Sequence, residues 1–193
     1  MCVATGYMGE PIDWQWRDQA SFADLFSGHY TEHEPESAWV AELDGQVVGY
    51  LLGCRDSRTV ADPARMMARH LLLRGLLVRP GTAGVLWRSI GDVALGLARG
   101  QGLEAELTDP RWPAHLHINL LPAARGGGVG RRLVRTWLDT LRAEGIAGCH
   151  LGTWGENASA IAFFEANGFR REGPLHPMPG MRSPGGGRHH TQW

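Results

Sequence analysis

The chain has 193 residues, 43% of them hydrophobic and 20% charged, with a formal net charge of −1. That length supports one ordinary domain with a buried core, and the composition excludes a disordered chain. The near-zero charge excludes a general nucleic-acid or anionic-membrane surface.

All 19 basic side chains are arginine, so the chain carries no side-chain amine of its own. Cys2, Cys54 and Cys149 have no paired spacing, and an odd count points to reduced thiols. The opening stretch MCVATGYMGEPIDW has neither a charged leader nor an apolar one. No apolar run approaches the roughly 20 residues of a membrane span; the run "HLLLRGLLV" is broken by Arg74 and Gly75. A soluble, cytoplasmic protein is expected, with no membrane or nucleic-acid partner.

Residues 20–30 read as a short helix starting near Ser21. Glu32, Glu34 and Glu36 follow, either as a solvated loop or as an acidic rim for a cationic acceptor. Two β-rich runs, "SAWVAEL" and "QVVGYLLGC", flank Asp44-Gly45, a strong hairpin signal. Residues 61–103 carry apolar residues at helical spacing, interrupted by Pro80-Gly81, and read as a helical insertion. Its second half has one apolar face of Val85, Leu86, Ile90, Val93 and Leu97. The insertion's outer face is a candidate homodimer surface.

"AHLHINLLP" is a strand ended by Pro122, and a glycine-rich stretch follows it. The next helix has Leu133, Val134, Trp137, Leu138 and Leu141 on one face and stops at Gly145. "AGCHLGTW" is a short strand, and a second helix runs from an Asn157 N-cap to Gly168. "FRREGPLHP" reads as a last strand, and residues 178–193 as a flexible tail unless they dock. The whole of 1–193 reads as one domain. The class is α/β (α+β), a mixed central sheet flanked by helices.

A helix start leaves four N–H groups unpaired and carries a partial positive charge. A glycine-rich lead-in lets a phosphate approach those groups closely. Gly126, Gly127, Gly128, Val129 and Gly130 therefore read as a phosphate cradle, with Arg125 or Arg131 adding charge. The P-loop pattern fails because there is no lysine. The dinucleotide pattern G-x-G-x-x-G fails because its last position falls on Arg131.

The remaining pattern, Leu120-Leu121-Pro122 followed by Arg125-Gly126-Gly127-Gly128-Val129-Gly130, resembles that of the GNAT superfamily of acetyl-CoA-dependent N-acetyltransferases. "NASAIAFFEANGF", Asn157 to Phe169, is similar to a second segment of that family. "AWVAELDGQVVGYLLG" and "AHLHINLLP" further resemble bacterial acetyltransferases similar to the C-terminal domain of eukaryotic O-GlcNAc hydrolases. The resemblance implies that loop 126–130 binds the pyrophosphate of acetyl-CoA and that the strand at Leu120 and Leu121 pairs with the pantetheine arm. It also implies that Asn157 lies near that arm, and that a small-molecule or peptide amine attacks directly. Phe164 stands where the family often has a tyrosine, so that position holds no proton donor.

An alkyl amine, with a pKa of about 10.4, must lose a proton before it attacks. His115, His117 and Asn119 alternate on the strand before the loop and so share one face. The two histidines are candidate bases or satisfied cleft residues, and Tyr50 is a candidate acid. His-x-His lacks a third ligand at a supporting spacing, so no metal is expected. Cys149 reads as a structural thiol. Trp154 reads as either acceptor-stacking or core. A non-catalytic acyl-CoA-binding module with the same fold is the alternative reading.

Overall fold

The computed structural model describes residues 1–60, 63–100, 107 and 109–193. The outer limits expected for the insertion, 61–62 and 101–103, lie outside them. Three short N-terminal helices come first: α1 (Cys2–Thr5), α2 (Gln19–Ala23) and α3 (His29–His33). A π-helical turn, Asp24–Gly28, joins the last two. The cap of α2 is Asp18 rather than a residue at Ser21; its Oδ1 accepts the Ser21 N–H at 2.9 Å.

The strands β1 (Ala38–Leu43) and β2 (Gln46–Cys54) form the expected hairpin. Asp44 and Gly45, with φ of 50° and 76°, are both left-handed, as the tight Asp-Gly turn requires. β3 (Ala114–Leu120) pairs antiparallel with β2, and β4 (Cys149–His150) pairs parallel with β3. The central sheet is thus mixed, in the order β1-β2-β3-β4.

Helix α6 (Val129–Ala143) covers one face of this sheet. Leu133, Val134, Trp137 and Leu141 pack there with Leu51, Leu116, Leu151 and Phe164. A Cβ on Gly53 would stand 2.7 Å from the Trp137 ring, so that glycine lets the indole lie against the strand. α7 (Ala158–Glu165) begins at an Asn157 cap, whose Oδ1 accepts the Ala160 N–H at 3.1 Å.

The insertion holds α4 (Pro63–Arg74) and α5 (Ala83–Ala98). Val85 and Leu86 are buried, but Ile90 and Leu97 are about half exposed. Only the first turns of the expected apolar face pack, in a second cluster with Ile12, Trp16, Phe22 and Leu76.

Two expectations for the C-terminus are corrected. Residues 169–175 are not a strand, and 178–193 are not a loose tail. β6 (His176–Arg182) and β7 (Arg188–Gln192) form a hairpin. β7 also pairs with β5 (Thr153–Trp154), making a separate three-stranded sheet in the order β5-β7-β6. Long-range contacts order this segment. The Asp92 carboxylate accepts the Gly180 N–H at 2.9 Å, Arg182 at 2.7 Å and Arg188 at 3.2 Å. Burial pushes the Asp92 carboxyl up, but these donors outweigh it and hold the group below its ordinary range. Gly180, at φ 78°, crosses α5 so closely that a Cβ would collide with Ser89.

Candidate active site

The parallel pairing of β3 with β4 covers only Ala114↔Cys149 and His115↔His150. Beyond that point the strands part, and β5 continues in the other sheet. The C-terminal half of β3 therefore has an open edge. Backbone groups alternate between the edges of a strand. The Leu121 N–H bonds to Val48 of β2 at 2.8 Å, while the Ala114 N–H bonds to Gly148 on the β4 side at 3.2 Å. Even-numbered residues thus face the open edge, which presents the N–H groups of Ile118 and Leu120. Leu121 cannot contribute there, since its N–H serves the sheet and its carbonyl accepts the Ala124 N–H. Ile118, which the sequence reading did not single out, takes its place; strand parity is the signal that finds it.

The open edge runs into the glycine loop. Gly126 and Gly128, with φ of 78° and 77°, need the left-handed freedom of glycine. Gly128 caps α6, and the first intrahelical bond runs from the Arg132 N–H to the Gly128 carbonyl at 3.0 Å. The amides of Gly128, Val129, Gly130 and Arg131 are those that a helix start leaves unpaired. No atom lies within 4 Å of a Cβ built on Gly126, Gly127 or Gly128, so the loop is open to a ligand. Gly130 differs: its Cβ would stand 2.9 Å from Leu120 Cδ1 and 3.1 Å from Phe163 Cζ, so it lets the helix start approach the strand. Val129 packs its side chain on the core.

A cleft of about 410 Å³ lies here, lined by Gly127, Gly128, Arg131, Arg132 and Arg135. Arg131 was an expected member. Arg132 and Arg135 were not, although Arg131 and Arg135 are four residues apart and share a helix face. Arg125 does not join them. Its guanidinium donates to the carbonyls of Gly9 (2.6 Å) and Leu120 (3.1 Å), and its N–H bonds to Pro122. It pins the N-terminal turn to the end of β3.

On the face of β2 and β3 opposite α6, Tyr50, Leu52 and Cys54 stand across from Asn119, His117 and His115. His115 is fully engaged. Ser57 Oγ donates to the Pro113 carbonyl at 2.9 Å, so it accepts from His115 Nδ1 at 2.8 Å. His115 Nε2 then accepts from the Tyr30 hydroxyl at 2.6 Å. Burial, then the nearby His150, His29 and His117, push its pKa down to about 3. Both nitrogens of His115 are thus taken, and its lone pair faces the Tyr30 hydroxyl.

His117 lies between the rings of Phe26 and Tyr50, with centroids at 6.2 and 5.9 Å. Asn119 Nδ2 donates to Tyr50 Oη at 2.7 Å and to His117 Nε2 at 2.9 Å. The imidazole is therefore neutral, and burial holds its pKa down to about 4. Burial raises the Tyr50 phenol, with the neighbouring Cys2 adding to the shift, so Tyr50 stays protonated.

Elsewhere, Tyr7 Oη lies 3.1 Å from His189 Nε2, and His189 Nδ1 lies 3.1 Å from Glu156. Tyr7, Trp154 and His189 pack edge to face. Residues 182 positions apart make this Glu–His–Tyr chain, and no local pattern announces it. Trp154 packs against the N-terminal cluster. Asn157 Oδ1 is occupied as a helix cap. Phe164 points into the core, between Phe163 and Phe169, and does not line the cleft. Cys149 is a structural thiol: Trp137 Nε1 donates to it at 3.3 Å, and burial pushes its pKa up to about 12. Of the acidic rim, Glu34 at 3.2 Å and Glu36 at 3.0 Å pair with the single Arg55, which also pairs with Glu144. Among the described residues, no helix is long and apolar enough to cross a membrane.

A strand with one open edge, leading into a helix start with free amides and three arginines, can hold a long anionic ligand. The sequence model of the "Acetyltransferase (GNAT) family" matches residues 7–169. The chain belongs to the GNAT acetyltransferase family. This GNAT chain is 32% identical over 110 residues to an IAA acetyltransferase from Azospirillum brasilense, a match covering 57% of this chain and 69% of that one. It is 48% identical over 118 residues to a mycothiol acetyltransferase from Beutenbergia cavernae, covering 61% of this chain but only 32% of that protein. Among solved structures, SsHAT superposes with a TM-score of 0.57 at 26% identity, covering 98% of this chain and 88% of that one. A ribosomal-protein-alanine N-acetyltransferase from Brucella melitensis shares the fold, with a TM-score of 0.54 at 16% identity and 99% and 88% coverage. The GNAT family uses acetyl-CoA, and the open strand edge and glycine loop are of a kind to accommodate its pantetheine and phosphates.

Proposed function

We propose that the chain transfers the acetyl group of acetyl-CoA to an amine on a small molecule or peptide, by direct attack and without an acyl-enzyme. The observation that carries this reading is the parting of β3 and β4 after His115↔His150. It leaves the N–H groups of Ile118 and Leu120 on an open strand edge, and the chain runs from that strand into the loop where Gly127, Gly128 and Arg131 line a cleft. In this reading those strand amides pair with the pantetheine arm and polarise the thioester carbonyl. The loop amides, with Arg131, Arg132 and Arg135, hold the phosphates.

His117 receives the proton of the attacking amine through water at Nε2, its one unprotonated nitrogen, which exchanges the hydrogen bond from Asn119 for one from that water. Its neutral state suits an acceptor, and Asn119 fixes its orientation. A pKa of about 4 makes it a weak base, so its part is to orient water and relay a proton rather than to strip a free ammonium. The departing thiolate, with an ordinary thiol pKa of about 8.5, takes its proton from solvent, which fits a core Phe164 in place of a donor. In this reading Asn157, the cap of α7, lies near the pantetheine arm.

The test is a calorimetric titration with acetyl-CoA, then a thiol-release screen against amines, on the wild type and on His117→Ala. Saturable binding, amine-dependent thiol release and a large loss in the variant are expected. Binding with no release from any amine would leave the non-catalytic acyl-CoA module. Absence of binding at millimolar acetyl-CoA would sink both readings.

A further inference from the structure

A second cluster of donor atoms lies away from the acetyl-CoA cleft, where α3 meets the end of β2. His29, Glu34 and Cys54 each offer one metal-binding atom, and these atoms lie within 4.8 Å of one another. Cys54 is fully buried and His29 is 7% exposed. His29 Nε2 stands 3.9 Å from Cys54 Sγ. We propose that His29, Glu34 and Cys54 bind a zinc ion that ties α3 to β2.

The spacing fits. Zinc bonds of about 2.0–2.1 Å to nitrogen and about 2.3 Å to sulfur, at tetrahedral angles, put the two ligands about 3.5 Å apart. The observed separation needs a closure of only a few tenths of an ångström. The donor set fits too, since one thiolate, one imidazole and one carboxylate select zinc over magnesium or calcium. Two ligand charges balance the ion in a buried place, while Arg55 is compensated by Glu36 and Glu144.

The surroundings are arranged as a ligand shell. Arg55 holds Glu34 Oε2 through its Nη1 at 3.2 Å and its backbone N–H at 3.1 Å, and reaches Oε1 only at 3.4 Å. Oε2 is anchored, and Oε1, with only the long bond, is the oxygen more easily given to an ion. Among the described residues His29 Nδ1 is buried with no partner, and buried polar groups normally have one. The ring stacks on His33 at 4.9 Å, and its other nitrogen, Nε2, has only the long contact to Cys54 and is the one left for an ion.

An opening of about 180 Å³, bounded by Asp24, Glu32, His33 and His70, reaches His29 and gives an ion a route in. On binding, the Cys54 thiol loses its proton to water, the S–Zn bond replaces S–H, and water fills the fourth position. The ion would fix α3, and with it the Tyr30 hydroxyl that holds His115.

The test uses the full chain loaded with Zn²⁺ or Co²⁺ and dialysed. One zinc per chain by mass spectrometry is expected, with a thiolate-to-cobalt charge-transfer band in the Co²⁺ form and a rise in the wild-type melting temperature with Zn²⁺. Cys54→Ser and His29→Gln should abolish the band and the rise, while Cys149→Ser and Cys2→Ser keep both. Substoichiometric metal and no thiolate band in a folded wild type would overturn the proposal without recourse to any variant. So would a band that survives Cys54→Ser.

Discussion

Gly127 in the loop before α6 and Gly130 in its first turn serve different ends, and alanine at each position separates them. Gly127 has no left-handed φ, and nothing lies within 4 Å of a Cβ built there. Gly127→Ala should leave stability unchanged or raise it by a few tenths of a kcal/mol through the unfolded chain. It lines the cleft, however, and a methyl there crowds the approach of a phosphate to the amides. Losing one charge-assisted hydrogen bond costs about 1.5–3 kcal/mol, or about 10- to 150-fold in coenzyme A affinity. Gly130→Ala should do the reverse. Its Cβ meets Leu120 and Phe163 at 2.9 and 3.1 Å, and overpacking of this kind costs about 1–3 kcal/mol. For a chain of this length that lowers the melting temperature by about 2–12 °C. Thermal unfolding and calorimetric titration with coenzyme A on both variants read the two effects. Wild-type affinity in Gly127→Ala would refute the amide cradle. An unshifted melting curve in Gly130→Ala would refute the tight helix–strand approach.

Trp137 is fully buried against Gly53 and Cys149, so Trp137→Ala should cost about 3–5 kcal/mol in denaturant unfolding. Asp92→Asn removes the anchor of the β6–β7 hairpin. Tryptic cleavage after Arg182 or Arg188 should become about tenfold faster or more, with the rest of the fold intact; an unchanged cleavage rate would show that the hairpin does not depend on Asp92. His115 and His117 titrate near 3 and 4 in the folded chain but near about 6.5 when unfolded. The unfolded chain therefore binds more protons below about pH 6.5, and stability should fall as pH drops from there toward 4. Urea midpoints between about pH 7 and 5 read this slope, and His115→Gln should flatten it.

Local chemistry made part of this molecule legible. Asp44-Gly45 dictates its own turn, the Asn157 cap needs only the next three residues, and the apolar stripe of α6 repeats at helical spacing. The glycine loop was legible for the same reason, since a left-handed backbone needs glycine whatever surrounds it. The C-terminal hairpin was not. "MPGMRSPGGGRHHTQW" has the composition of a loose tail, and its order comes from Asp92, Ser89 and Gln15, about 90 to 170 residues away. Arg125 misled for a related reason: its charge is readable, but its side chain is drawn to two carbonyls, one of them at Gly9. Leu121 and Ile118 could have been sorted only with the strand register in hand.

The histidine face was readable as alternation, yet what each histidine can do depends on protons the sequence does not count. Ser57 spends its proton on Pro113 and so commits His115, while Asn119 spends one amide hydrogen on Tyr50 and the other on His117. His117 therefore stays neutral across the neutral range and does not itself titrate there. The pH dependence of turnover must then come from the acceptor. For an alkyl amine, the unprotonated fraction grows tenfold per pH unit below its pKa of about 10.4. In the proposed mechanism log kcat/KM should climb with unit slope from about pH 6 to 9, and with an aryl amine that is already neutral it should stay flat. A bend near about pH 6.5 with both acceptors, abolished by His117→Ala, would mean that His117 titrates at its ordinary value. The Phe26 and Tyr50 rings would then not shield it in the working enzyme, and the water-relay role would give way to direct proton abstraction.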